Sequence, residues 1–134
     1  MADEPNTATT DGVEPNLSRP GSITYMQIPA TDVRSSAAFY EKVFGWTVRV
    51  NPAHTSFMDA NGHVAGAIVT DLKVSREPGV LPYIYVDAID DVIRSIGENG
   101  GEIVRPRYDE GGLWVATFRD PAGNVLGVWQ QQPG

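Results

Sequence analysis

From Ser22 onward the apolar positions switch repeatedly between a period of two and a period of three to four. The stretch "SITYMQI" (22–28) is a short β-rich run, which Pro29 interrupts. In "TDVRSSAAFYEKVFG" the residues Val33, Ala37, Tyr40 and Val43 or Phe44 form one apolar stripe, and Thr31 or Asp32 can cap the helix at its start. Gly45 stands where a C-terminal cap is expected. "WTVRV" (46–50) alternates as a strand, and "HTSFMD" and "HVAGAIVTDL" form a hairpin through "ANG". After Pro78 the order begins again. "LPYIYVDA" predicts a strand, "IDDVIRSIGENGG" a helix on Ile89, Val92, Ile93 and Ile96, and "EIVRP" another strand. "RYDEGG" is expected to loop over, and "LWVATFRDPAGNVLGVWQ" is a second hairpin turning through Asp120 to Gly123.

The pattern is therefore βαβββ written twice, and the wording repeats with it. In "FMDANGHVAG" (57–66) and "FRDPAGNVLG" (118–127), Phe, Asp, Gly, Val and Gly recur at the same offsets. Tyr40 aligns with Ile96 and Gly45 with Gly101. Neither half buries its apolar faces alone, and 134 residues suffice for one core rather than two. The expected organisation is an acidic, flexible leader over 1–20 and a single domain over 21–134, with modules at about 22–71 and 80–131.

Composition narrows the function. Hydrophobic residues make up 41% and charged residues 20%, and no apolar run approaches the ~20 residues that span a bilayer. The first residues lack the basic and apolar regions of a secretory signal, so a cytoplasmic protein is expected. There is no cysteine, which excludes disulfides, thiolate metal sites and cysteine nucleophiles. A net charge of -7 argues against a nucleic-acid partner.

The stretches "DVRSSAAFYEKVFGW" and "DPAGNVLGVWQ" resemble the glyoxalase, bleomycin-resistance and extradiol dioxygenase group, the vicinal oxygen chelate superfamily, over roughly residues 22 to 131. That resemblance implies an α+β fold in which two βαβββ modules form a curled, incomplete barrel with helices on the outside. It also implies a ligand on the concave face and frequent dimerisation. In metal-dependent members, ligands stand early in each module's first strand and late in its last. Carried over by motif, those positions are Tyr25, Gly66, Leu81 and Gly127. Glycine and leucine offer no donor atom and a lone phenol is a poor ligand, so no metal and no cofactor are expected. His54 and His63 have no spacing or carboxylate cluster that would make a substitute site, and Asp59 and Asp120 read as turn residues.

What remains is aromatic. Pairing the second hairpin symmetrically about its turn sets Trp114 opposite Trp129, Ala116 opposite Gly127 and Phe118 opposite Val125, all facing inward. With Tyr25, Gln27, Phe57, Leu81, Tyr83 and Tyr85, these residues are expected to line an aromatic cup with vacant space above Gly66 and Gly127. Trp46 is assigned to the core or to subunit packing. Arg105, Arg107, Tyr108, Asp109 and Glu110 flank a loop that could act as a lid. The expected function is a metal-free protein that holds a hydrophobic or aromatic small molecule, such as a natural product or antibiotic, in a homodimer. Two alternatives stand beside it. One is a metal-independent isomerase, cyclase or lyase using Tyr25, Gln27, Tyr83 or Glu110; the other is a metal-dependent lyase or dioxygenase, which the missing ligands disfavour.

Overall fold

The computed structural model describes residues 15–133; most of the expected leader lies outside them. The first module runs β1 (Tyr25–Pro29), α1 (Val33–Phe44), β2 (Thr47–Val50), β3 (Thr55–Met58) and β4 (Ala65–Val69). The second runs β5 (Tyr83–Tyr85), α2 (Ile89–Glu98), β6 (Glu102–Glu110), β7 (Leu113–Arg119) and β8 (Val125–Gln131). Each module makes a four-stranded mixed sheet, ordered β1-β4-β3-β2 and β5-β8-β7-β6, and no barrel closes. In both, the first strand pairs parallel with the last, which requires the crossover that the helix provides.

The caps show how local chemistry ends each element. Asp32, extended at φ -130°, accepts from the Arg34 N–H, and Gly45 closes α1 in the left-handed region at φ 72°. The second helix begins at Ala88, whose side chain caps nothing. Its cap comes from β8 instead: Gln130 Oε1 accepts from the Ile89 N–H at 2.9 Å while Nε2 donates to the Asp87 carbonyl at 2.7 Å. The stretch expected to loop over is strand as far as Glu110: Tyr108, Asp109 and Glu110 pair with β7, as Arg105 does before them, through two register shifts.

Each helix covers one face of its sheet. Tyr40 of α1 stacks on Trp46, centroids 4.7 Å apart, and Trp46 stacks on Phe57 at 4.9 Å. Phe39 and Phe44 pack on Phe118 at 5.9 and 5.7 Å. Phe39, Tyr40, Ile96, Phe118 and Val128 belong to one continuous core drawn from both modules. Neither module therefore has a core of its own, as the duplicated pattern predicts.

The second hairpin departs from the expected pairing by one residue. Trp114 pairs with Gln130, Ala116 with Val128 and Phe118 with Leu126, so Trp114 and Trp129 point to opposite faces. The cause is in the turns. The first closes with the Asp59 N–H on the Val64 carbonyl, whereas the second closes with the Asp120 N–H on the Asn124 carbonyl. Identical wording at identical spacing thus encloses one residue fewer in the second copy, and every side chain of β8 changes face relative to its sequence match in β4.

Candidate functional site

The face of each sheet that the helices leave uncovered carries the candidate site. In the second module, β-pairing aligns two rows across the strands. Arg105, Thr117, Gly127 and Tyr83 form one; Tyr108, Val115, Trp129 and Tyr85 form the next. Glu110, opposite Leu113, continues the face. Tyr83 and Tyr85 are 43% and 48% exposed, so these rings are presented rather than buried. The Tyr85 and Trp129 rings meet edge to face at 4.7 Å, and the Arg105 guanidinium lies 3.4 Å from the Tyr108 ring centroid. Desolvation, then the neighbouring Tyr108 and Glu110, raise the Tyr83 phenol above its ordinary value, and Arg105 opposes them. Tyr83 consequently stays a hydroxyl donor through the neutral range.

In the first module, Tyr25 and Gln27 share the corresponding uncovered face with Ala65 and Ala67. A shallow recess there is lined by Tyr25, Arg49, His54, Ser56 and Met58, with no residue of the second module. Tyr25 is 57% exposed. The two uncovered faces belong to separate sheets that share no strand pairing.

Five of the expected lining residues, Tyr25, Gln27, Tyr83, Tyr85 and Trp129, therefore stand on uncovered strand faces. Phe57, Phe118 and Trp114 do not. Phe57 is buried on the helix side against Trp46, Phe118 is buried beneath Phe39, and Trp114 packs against the core with Arg107 over its ring at 4.1 Å. The one-residue turn difference puts Trp114 and Phe118 on the face opposite Trp129 and Gly127. The expected space above the glycines is also filled. A Cβ on Gly66 would strike the Phe57 ring and the Met26 carbonyl, and one on Gly127 would strike the ring of Tyr83. Arg105 is expected at the end of a strand and Tyr108 in a loop; their places on one sheet face depend on the irregular pairing of β6, which no periodicity announces.

The positions that carry metal ligands in relatives do not fit a metal here. Tyr25 and Tyr83 are the structural counterparts, because Thr24 and Pro82 carbonyls accept equivalently from the Ala65 and Gly127 N–H groups; Leu81 precedes its strand. Gly66 faces the helix side and Gly127 lies under a phenol. Among the described residues no three of His, Cys, Asp and Glu gather. The His63 N–H bonds Asp59 Oδ1 within its own turn, and His54 sits beside Tyr25 without a carboxylate cluster.

Asp120 is a structural residue. Its carboxylate is 3% exposed and accepts from the Tyr40 hydroxyl, the N–H groups of Ala122, Gly123 and Asn124, and Asn124 Nδ2. Asn124 Nδ2 also reaches the Pro29 carbonyl at 2.7 Å, and its Oδ1 accepts from the Ser75 N–H at 2.8 Å. The "DPAGN" stretch is thus the clasp between the modules.

Fold and wording together place the chain in a family. Residues 22–128 match the Glyoxalase/Bleomycin resistance protein/Dioxygenase superfamily, and the chain belongs to it. It is 30% identical over 122 residues to CFP32 of Mycobacterium tuberculosis, provisionally named a glyoxylase, covering 84% of this chain and 46% of that protein. It is 30% identical over 132 residues to the anthracycline biosynthesis protein DnrV of Streptomyces peucetius, covering 84% and 48%. The chain therefore spans about half the length of these relatives. Among solved structures, TnmS3 from Streptomyces sp. CB03234, an antibiotic binding protein, superposes with a TM-score of 0.64 at 19% identity, covering 83% of this chain and 96% of that one. TioX from Micromonospora sp. ML1 gives 0.60 at 22% identity, covering 83% and 99%. Among the described residues no helix is long and apolar enough to cross a membrane.

Proposed function

We propose that the protein binds a planar hydrophobic or aromatic small molecule without a metal, between the uncovered strand faces of its two modules. The carrying observation is the concentration of Tyr83, Tyr85 and Trp129 on one such face, partly exposed and free of helix cover. Rings held this way stack on flat ligands, worth about 0.5–1.5 kcal/mol per ring pair beyond burial. The Tyr83 hydroxyl, Arg105 and Gln27 supply orientation. The antibiotic-binding neighbour TnmS3 and the relative DnrV support the ligand class.

Because Tyr25 and Gln27 lie on one sheet and the Tyr83 cluster on another, we take the cup to be completed by a second copy that opposes its first-module face to this second-module face. A homodimer of this kind would also cover exposed Tyr25, whose 57% exposure is unusual for so large a ring. Localisation to the cytoplasm belongs to the same reading.

The test is a fluorescence titration with planar polyketide quinones of the anthracycline type, run beside sedimentation analysis. Saturable quenching should be lost in Trp129→Ala and kept in Trp114→Phe, and dialysis against a chelator should change neither affinity nor melting temperature. If no compound quenches the tryptophans or raises the melting temperature, sequestration loses its support. A second reading takes Glu110, on the same uncovered face as Tyr83, as a group able to move a proton at a bound substrate. Turnover abolished by Glu110→Gln or Tyr25→Phe with binding retained would make the protein a metal-independent enzyme.

A further inference from the structure

The duplicated fold brings each hairpin turn toward the other module, and only one of the two junctions is filled. The turn of the second hairpin is packed shut: Asp120, Ala122 and Asn124 are 3%, 6% and 3% exposed and are bonded to Tyr40, Pro29 and Ser75. The turn of the first hairpin, around Asp59 and Asn61, stands instead beside β5 and α2. The partner that would close it is missing. Tyr40 is the eighth residue of α1, and the eighth residue of α2 is Ile96, which has no hydroxyl to give Asp59. The side chain of Asp59 accepts only from the His63 N–H of its own turn among the described residues.

A cavity of about 650 Å³ remains at this junction. Its apolar wall is made by Met26, Phe44, Trp46, Ile84, Val92 and Leu126, its polar groups include Asp59, Asn61 and Asp87, and Tyr83 and Tyr85 of the strand-face cluster form its border along β5. No Lys, Arg or His lines it. Ile23, an apolar side chain 82% exposed, also borders it. The size suits a drug-sized molecule. Both faces of the Trp46 ring are taken by Tyr40 and Phe57, so the indole offers a cation no free face, and Asp59 and Asp87 are the charged groups of the lining.

We propose that this inter-module cavity, which adjoins the strand-face cup along β5, is a second binding site and that it takes a small apolar organic cation. The hydrocarbon body lies on the Met26, Ile84, Val92 and Leu126 wall, and the ammonium or iminium group is held by Asp59 and Asp87. A net charge of -7 favours cations at long range, and the two carboxylates with no basic neighbour in the lining impose the sign locally. Neutral and anionic molecules of the same shape are discriminated against, because they leave the carboxylates desolvated without a counter-charge.

The experiment uses the full chain and two flat dyes, cationic proflavine and anionic anilinonaphthalene sulfonate, followed by fluorescence anisotropy in a Trp129→Ala background that disables the strand-face cup. Proflavine should bind saturably there, about tenfold more weakly once Asp59→Asn and Asp87→Asn are combined. Binding should also weaken with salt and be abolished by Val92→Trp, which fills the cavity. Asn at position 59 retains the oxygen that accepts from His63, so the turn survives; the carboxamide variants therefore decide the matter even if Val92→Trp fails to fold. Equal affinity for the anionic dye, indifference to the carboxamide pair, or no saturable proflavine binding would each overturn the site. Failure of the cup reading registers separately, as quinone binding that is absent in the natural protein or unchanged in Trp129→Ala.

Discussion

The Tyr40 hydroxyl, from the first helix, donates to Asp120 Oδ2 in the last hairpin at 2.7 Å, across 80 positions of sequence and inside the core. Asp120 is the one buried carboxylate among the described residues, held by donors from its own turn and one from the opposite module. A buried charge is tolerated only when so satisfied. The bond adds a buried polar link between the two modules to the Asn124–Pro29 contact and the shared aromatic core.

Tyr40→Phe should accordingly destabilise the protein by about 2 kcal/mol, because the carboxylate loses a donor that water cannot replace. Urea unfolding measures it. Burial, with Asp120 adding to it, pushes the Tyr40 phenol well above its ordinary value of 10.0. The unfolded phenol ionises near its ordinary value while the native one stays protonated. Native stability from this group is therefore complete below about pH 10 and is lost as pH rises beyond it. The decline above pH 10 should be steeper in the natural protein than in Tyr40→Phe, and equal slopes would disprove the coupling.

The two tryptophans of the second hairpin should separate stability from binding. Trp114 packs on the helix side under Arg107, so Trp114→Ala should cost about 3 kcal/mol through the cavity it leaves. Trp129, on the uncovered face beside Tyr85, should cost roughly 1 kcal/mol on truncation and remove quinone quenching. Chemical denaturation of both variants beside ligand titration checks the division. Comparable stability losses would mean that both rings are core.

How far the sequence could be read follows from these same residues. Asp32, Gly45 and the stripe of α1 were legible because helix caps and periodicity are local chemistry. The two-module plan was legible because the wording repeats. Which β7 residues share a face with Trp129 and Gly127 was not, because the facing of β8 relative to β7 depends on the turn between them, and "DANGHV" and "DPAGNV" close at different residues despite their common spacing. Nor could Gln130 be recognised as the cap of α2, since that contact joins positions 41 residues apart. Local signals survive translation into structure; a single odd residue in a turn inverts everything downstream on that strand.

The glycines on the two faces should answer differently to alanine. At Gly66 the new methyl meets the Met26 main-chain carbonyl and the buried Phe57 ring, neither free to move, so Gly66→Ala should destabilise by about 2–3 kcal/mol. At Gly127 the obstacle is the ring of Tyr83, a half-exposed side chain that can swing aside. Gly127→Ala should therefore cost less than about 1 kcal/mol in stability while displacing Tyr83 from the face, and ligand affinity should fall instead. Thermal unfolding of the pair tests the asymmetry.

One polar group in the core has no partner. Ser36 on α1 is fully buried, and its hydroxyl makes no hydrogen bond among the described residues. A buried hydroxyl without a partner forfeits its hydration for nothing in return, and serine is a weaker helix former than alanine. Ser36→Ala removes both penalties and leaves only the volume of one oxygen to be absorbed. The variant should be more stable than the natural protein by about 1 kcal/mol, raising the melting temperature by about 3–5 °C for a domain of this size. A fall in melting temperature would show that the hydroxyl is satisfied in solution, by a water held between the helix and its neighbours.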